Sequence, residues 1–216
     1  DADFVPVPVR KLLDGAYLAS RASLIGERSM GEAAPGGVER GTSHFSIVDR
    51  RGDAVAMTTS VESPFGSRIV VRGFILNNQL TDFDFTPGGA NAVAPGKRPR
   101  SSMAPTMVLE DGALQLVLGS PGGSMIINYV ARALVASIDW GMDLQTAIGA
   151  PNLGTRNGPA LLEKDTPYAA LEGPLAGRGH RVVLAPLVSG LHGVERVQGG
   201  WRGGADPRRD GVAVGR

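Results

Sequence analysis

Short apolar runs separated by turn residues dominate the chain from Thr42 onward. They predict strands over 43–49, 54–61, 68–76, 103–110 and 113–119. Turn chemistry divides several of them: Arg51-Gly52-Asp53, Ser63-Pro64-Phe65-Gly66, and Asp111-Gly112 between two apolar runs, a hairpin signal. The pattern then lengthens to a helical period. Ile126, Ile127, Val130, Leu134 and Ile138 recur on one face and predict a helix over 124–139, with Ser124 as N-cap. A second helix is expected from Asp143 to just before Pro151, and a third over about 166–178, ending at Gly179. Val182-Val183-Leu184, Val194–Val197 and Trp201 predict closing strands. Upstream, Phe4-Val5-Pro6-Val7-Pro8 is extended, residues 10–25 carry a helical pattern (Leu12, Leu13, Ala16, Tyr17, Ala19, Leu24), and 26–41 read as an exposed Gly/Pro/Glu-rich linker. Strands, then helices, then strands again predict an α+β fold.

The 216 residues suffice for one domain with a sizeable core, and 42% hydrophobic against 20% charged residues fits a globular chain. A formal net charge of +1 implies no broad basic surface for nucleic acid. The absence of cysteine excludes disulfides, thiolate metal sites and a Cys nucleophile, and His44, His180 and His192 lack metal-ligand spacing. No metal or organic cofactor is expected. The longest apolar helical stretch, Met125 to Trp140, is interrupted by Arg132 and is too short to span a membrane. No signal peptide is visible, and a chain opening on Asp1 is expected of a processed product or a truncated one.

Thr42 is the most informative position. It stands where the linker meets a strand, and a cut between Gly41 and Thr42 would give one residue both a nucleophilic hydroxyl and a basic α-amine. His44 and Ser46 share its strand face. Ser60 and Glu62, also two apart, end the 54–61 strand. Gly119-Ser120-Pro121-Gly122-Gly123-Ser124 joins a strand to the strongest helix. Its consecutive Gly N–H groups suit an oxyanion hole, but taken alone the motif reads first as a tight strand-to-helix turn. As a phosphate loop it lacks the Gly-Lys-Ser/Thr ending. Ser101 and Ser102 place paired hydroxyls before an apolar strand, fit to hold a carboxylate or simply to begin the strand. Gln79 and Asp82, within Leu76-Asn77-Asn78-Gln79-Leu80-Thr81-Asp82-Phe83, can grip an ammonium or cap a turn.

In series these segments resemble the γ-glutamyltranspeptidase family: T-S-H-F-S-I-V-D from Thr42, F-G-S from Phe65, L-N-N-Q-L-T-D-F from Leu76, R-P-R-S-S-M-A-P from Arg98, G-S-P-G-G-S from Gly119 and A-D-P-R from Ala205. The resemblance implies a precursor cut into two subunits, with residues 1–41 as the tail of the large subunit and 42–216 as the small catalytic subunit. It implies an N-terminal nucleophile hydrolase fold, an αββα sandwich incomplete without the rest of the large subunit. Thr42 is then both self-cleavage residue and nucleophile. Gly122 and Gly123 form the oxyanion hole, and Ser60 positions the nucleophile where the family usually has a Thr. Ser101 and Ser102 take the substrate α-carboxylate, together with a large-subunit Arg, while Gln79 and Asp82 hold the α-ammonium. Glu62 departs from the Asn of well-known members and bears on the acyl group accepted.

The implied reaction is attack on a γ-glutamyl amide, glutathione or a relative, through a γ-glutamyl ester resolved by water or by an amino-acid or peptide acceptor. Export to the periplasm or outside the cell is implied by the same likeness. The rival readings are an acylase of the same fold acting on glutaryl-type side chains or on poly-γ-glutamate, and an inactive homologue or fragment.

Overall fold

The structure is a computed structural model that describes residues 2–23, 28 and 42–215. The Gly41 side of the expected cut, and all of the 26–41 linker except Arg28, lie outside the described residues. The expected 10–25 helix is two short ones, α1 (Val9–Leu12) and α2 (Gly15–Ala22). Asp14 accepts a hydrogen bond from the Tyr17 N–H at 2.8 Å and so begins α2 afresh.

β1 (Thr42–Val48) and β2 (Ala54–Ser60) form an antiparallel pair that closes through the Arg51-Gly52-Asp53 turn. The expected 68–76 strand is instead a small hairpin, β3 (Val70–Val71) and β4 (Phe74–Ile75). Arg72 and Gly73 both take positive φ there and reverse the chain (φ 48° and 84°). A 3₁₀ turn (Gln79–Asp82) follows, then β5 (Thr106–Glu110) and β6 (Ala113–Gly119), joined by Asp111-Gly112 with φ of 50° and 76°. This is the two-residue hairpin that the sequence predicts.

After β6 come α3 (Ile126–Ile138) and α4 (Leu144–Gly149). Ser124 does not cap α3: a 3₁₀ turn over Gly123–Met125 precedes that helix, and Ser124 Oγ instead accepts from Arg156. Asp143 caps α4 as expected, accepting from the Thr146 N–H at 3.1 Å. β7 (Leu153–Gly154) and β8 (Ala160–Glu163) were not anticipated; they are too short to show a period. The 166–178 helix is a 3₁₀ turn (Pro167–Leu171) leading into α5 (Glu172–Gly177). β9 (Val182–Ala185), β10 (His192–Val197) and β11 (Gly200–Ala205) complete the chain.

The strand order β11-β10-β6-β5 gives a four-stranded sheet. One face of it carries α3 and α4. Leu116 and Leu118 of β6 pack there with Ile126, Tyr129, Val130, Leu144 and Ile148. Each such side chain, fully buried, contributes about 1.5–3 kcal/mol. The other face receives the β1–β2 pair. The layering is therefore sheet, sheet, helices, and among the described residues the outer side of β1–β2 is exposed. Phe45, Ile47, Val55 and Met57 stand 39%, 55%, 48% and 46% exposed on it, while His44, Ser46, Thr58 and Ser60 point between the sheets.

Candidate active site

Register brings the first site residues together. Thr42 opens β1, Ser60 closes β2, and the two are direct cross-strand partners. The Thr42 hydroxyl donates to Ser60 Oγ at 3.0 Å, and Ser60 Oγ also accepts from the Glu62 N–H at 2.9 Å. Thr42 is buried.

Glu62 lies past the end of β2, not on it, and holds φ at 71°, a costly conformation for a non-glycine residue. This corrects the shared-strand expectation: the Ser60–Glu62 link is a hydrogen bond across a turn. Ser63 Oγ and Asn78 Nδ2 both donate to Glu62 Oε2 and hold the carboxylate in place. The 3₁₀ turn carries Gln79 and Asp82, joined by Gln79 Nε2 donating to Asp82 Oδ2 at 2.5 Å.

One small cleft is lined by Thr42, Ser60, Glu62, Gln79 and Asp82, by the extended segment Arg100-Ser101-Ser102-Met103, and by Ile126. All the substrate-contacting residues expected from the sequence meet there, together with Thr42 and Ser60. Arg100, Met103 and Ile126 were not anticipated, because nothing in their local pattern distinguishes them from strand-entry and helix positions.

Gly122 and Gly123 do not line this cleft. They occupy the β6–α3 junction, where Gly122 has φ 136° and Gly123 φ 59°. A Cβ on Gly122 would come within 2.5 Å of the Tyr129 ring, so the turn demands glycine. The Gly122 N–H has no acceptor among the described residues. Behind the loop lies a buried polar network. Gly190 N–H donates to Ser120 Oγ at 3.2 Å, and Asp206, fully buried, accepts from Ser189 Oγ at 2.5 Å and from the Leu191 N–H at 3.0 Å. Arg208 pairs with Asp206 at 3.0 Å and with Glu163 at 2.7 Å. The Ala205-Asp206-Pro207-Arg208 motif thus supports the loop from behind and does not enter the cleft.

His44 joins the two sheets beneath the site. Its Nδ1 meets Thr58 Oγ1 at 2.8 Å and its Nε2 meets Ser46 Oγ at 3.1 Å. Burial, and secondarily the charge of nearby His192, lower its pKa to about 4, so the ring is neutral at ordinary pH. The ring fills the space over Gly119, where a Cβ would lie 2.2 Å from it. Gly119 leads directly into the Gly122-Gly123 turn, so His44 sets the spacing between the strand bearing Thr42 and the strand bearing the glycine loop. Among the described residues no group of three His, Cys, Asp or Glu is placed to hold a metal, and no helix is long and apolar enough to cross a membrane.

Thr42 opens a strand at the interface of two stacked sheets, one of them backed by helices, and the solved structures that the chain matches are N-terminal nucleophile hydrolases of α+β class. The family model for gamma-glutamyltranspeptidase matches residues 1–216. The chain belongs to the gamma-glutamyltranspeptidase family. It is 35% identical to the glutathione hydrolase proenzyme of Bacillus subtilis, over all of this chain and 41% of that protein. It is 38% identical to the acylase ACY 1 proenzyme of a Pseudomonas strain, over 88% of this chain and 35% of that protein. Among solved structures, a Helicobacter pylori gamma-glutamyltranspeptidase variant superposes with a TM-score of 0.72 at 33% identity, covering 77% of this chain and 99% of the matched one. The chain therefore spans between about a third and two fifths of the length of these curated relatives, which are proenzymes.

Proposed function

We propose that this chain is the C-terminal part of a γ-glutamyltranspeptidase precursor that cuts itself before Thr42 and then hydrolyses or transfers γ-glutamyl groups. Residues 1–41 are the tail of the large subunit and 42–216 the small one. The observation that carries the reading is the Thr42–Ser60 hydrogen bond at the mouth of a cleft whose walls bear two carboxylates.

In maturation Thr42 Oγ1 attacks the Gly41 carbonyl and water resolves the ester. The freed α-amine, with an ordinary pKa of roughly 7.7–8.0, then accepts the hydroxyl proton in turnover. Ser60 Oγ orients that hydroxyl. Thr42 Oγ1 adds to the γ-glutamyl amide carbon, and the N–H groups of Gly122 and Gly123 stabilise the oxyanion, each such donor being worth about 100–1,000-fold in rate. The amine leaves with the proton from the α-amine. Water or an amino-acid or peptide amine then attacks the ester, and Thr42 Oγ1 leaves. Gln79, Asp82 and Glu62 form the ammonium end of the cleft, and Ser101 and Ser102 the carboxylate end. The upstream large-subunit segment, absent from this chain, supplies the helical layer over Phe45, Ile47, Val55 and Met57.

The acylase reading gains less support. A glutaryl side chain has no ammonium, and the carboxylates of Glu62 and Asp82 would face its uncharged carbon or repel its carboxylate. Comparing γ-glutamyl with glutaryl p-nitroanilide on the processed enzyme decides the matter. A preference of at least about tenfold for the γ-glutamyl donor in kcat/KM is expected, since a charge-assisted hydrogen bond alone is worth that much. Equal or better use of the glutaryl donor overturns the γ-glutamyl assignment.

A further inference from the structure

Gly122 and Gly123 carry no side chains, so the direction of their N–H groups is fixed from outside the pair. The residues just before them are well held. His44 of β1 fills the space over Gly119. The Gly190 N–H donates to Ser120 Oγ at 3.2 Å, and Ser120 Oγ donates to the Pro121 carbonyl at 2.6 Å. A Cβ on Gly190 would lie 2.6 Å from Pro121 Cγ, so the 189–191 segment also presses on the proline. Gly122 is held differently. Its carbonyl accepts from the Met125 N–H at 3.2 Å, and no side chain caps the turn. What lies against it is the ring of Tyr129 from α3, whose Cε2 and Cδ2 would be 2.5 and 2.9 Å from a Cβ there. Tyr129 is buried in the core cluster with Ile126, Val130 and Leu187, which leaves the ring little room to move. Burial, and next the charge of Glu163, push its phenol up to about 12. The ring is therefore uncharged at working pH and puts no negative charge behind an oxyanion formed at Gly122.

We propose that Tyr129 is a positioning residue for turnover: its ring holds the Gly122 backbone so that the N–H meets the oxyanion formed when Thr42 Oγ1 adds to the γ-glutamyl amide carbon. The inference rests on the γ-glutamyl reading, with Gly122 and Gly123 as its oxyanion hole, and adds the side chain that sets the loop. Tyr129 does not line the cleft. Its effect passes through Gly122 and falls on the transition state, where the oxyanion exists, rather than on donor binding. A shift of the loop by about 1 Å is enough to cost on the order of 100-fold in rate.

The test uses the processed two-subunit enzyme, with γ-glutamyl p-nitroanilide as donor and two competitive inhibitors. L-glutamate reports ground-state binding in the cleft. Its analogue with a boronic acid in place of the side-chain carboxyl reports the oxyanion site. Thr42 Oγ1 bonds to boron, the hydroxyl proton passes to the α-amine, and the tetrahedral boronate places an oxygen where the oxyanion forms. Tyr129→Leu should lower kcat and weaken boronate inhibition by about tenfold or more each, while KM and L-glutamate inhibition stay within about twofold. Tyr129→Phe, which keeps the ring, should match the wild type within about twofold in all four. Should Tyr129→Leu yield no processed enzyme, Tyr129→Met, which refills the space with a flexible chain and no flat face, should show the same split at a smaller scale. Three results overturn the role of Tyr129 and leave the γ-glutamyl reading intact: unchanged kcat and boronate inhibition in the ringless variant, equal weakening of both inhibitors, or a Tyr129→Phe enzyme with the same defect. A wild-type enzyme that turns over no γ-glutamyl donor overturns both.

Discussion

Ser60 shows how a single hydroxyl is placed by strand register. It faces Thr42 because the β1–β2 pairing puts the first residue of one strand against the last of the other. Ser60→Ala removes the acceptor for the Thr42 hydroxyl and should lower kcat roughly 5- to 10-fold, the worth of one hydrogen bond, with a smaller change in KM. Ser60→Thr should restore most of it; steady-state kinetics on the processed enzyme check both. Gly119 is the second such position. A methyl there would occupy the His44 ring, so Gly119→Ala should cost about 1–3 kcal/mol in stability, read as a lower melting midpoint, and should slow turnover by moving the glycine loop from Thr42. The structure brings Thr42, Gln79, Asp82, Ser101 and Ser102 to one cleft; from the sequence they were named as a set only through the serial family resemblance, since each motif alone also reads as a turn or a strand entry. Arg100 was not among them, since an arginine before a strand looks like any solvated charge until the fold brings it to the cleft. The Asp206 network was hidden for the same reason: its partners Ser189 and Leu191 come from a different segment.

The β1–β2 pair inverts the usual arrangement of a two-layer sheet. Its polar residues point inward to build the site, and its large apolar residues point outward. Phe45 pairs with Met57 and Ile47 with Val55 across the strands, forming one continuous apolar face. An exposed apolar face of this kind marks an interaction surface. On the proposed assembly, Met57→Asp buries a charge against the large-subunit layer and should reduce the yield of assembled enzyme. Its melting midpoint should fall by about 2–4 °C for each kcal/mol lost, while Met57→Leu leaves both unchanged. Differential scanning fluorimetry with gel filtration tests this, and a stable, fully assembled Met57→Asp enzyme would count against the assembly. At this scale the sequence was read well where turn chemistry was explicit, as at Asp111-Gly112. It was misread at 68–76, where Arg72-Gly73 reverses a run whose apolar residues continue unbroken on either side. β7 and β8 escaped notice because β8 is ordered by parallel pairing with β9, a tertiary contact that no local period announces.

At the scale of the whole molecule, the architecture is three layers, sheet, sheet and helices, with the candidate site at the Thr42–Ser60 end of the β1–β2 pair. The α+β class followed from the order of strand and helix patterns. The N-terminal nucleophile hydrolase fold did not follow from periodicity; it came from the serial motifs, several of whose residues the structure gathers into one cleft. On the proposed function, Thr42 becomes the nucleophile by cleavage of the bond before it. Intact-mass measurement of the full precursor, wild type and Thr42→Ala, tests it most directly. A wild-type fragment is expected whose first residue is Thr42 and which gains one γ-glutamyl group when quenched during turnover, with Thr42→Ala remaining uncut and inactive. Efficient cleavage in Thr42→Ala, or a γ-glutamyl adduct on any other residue, would contradict it.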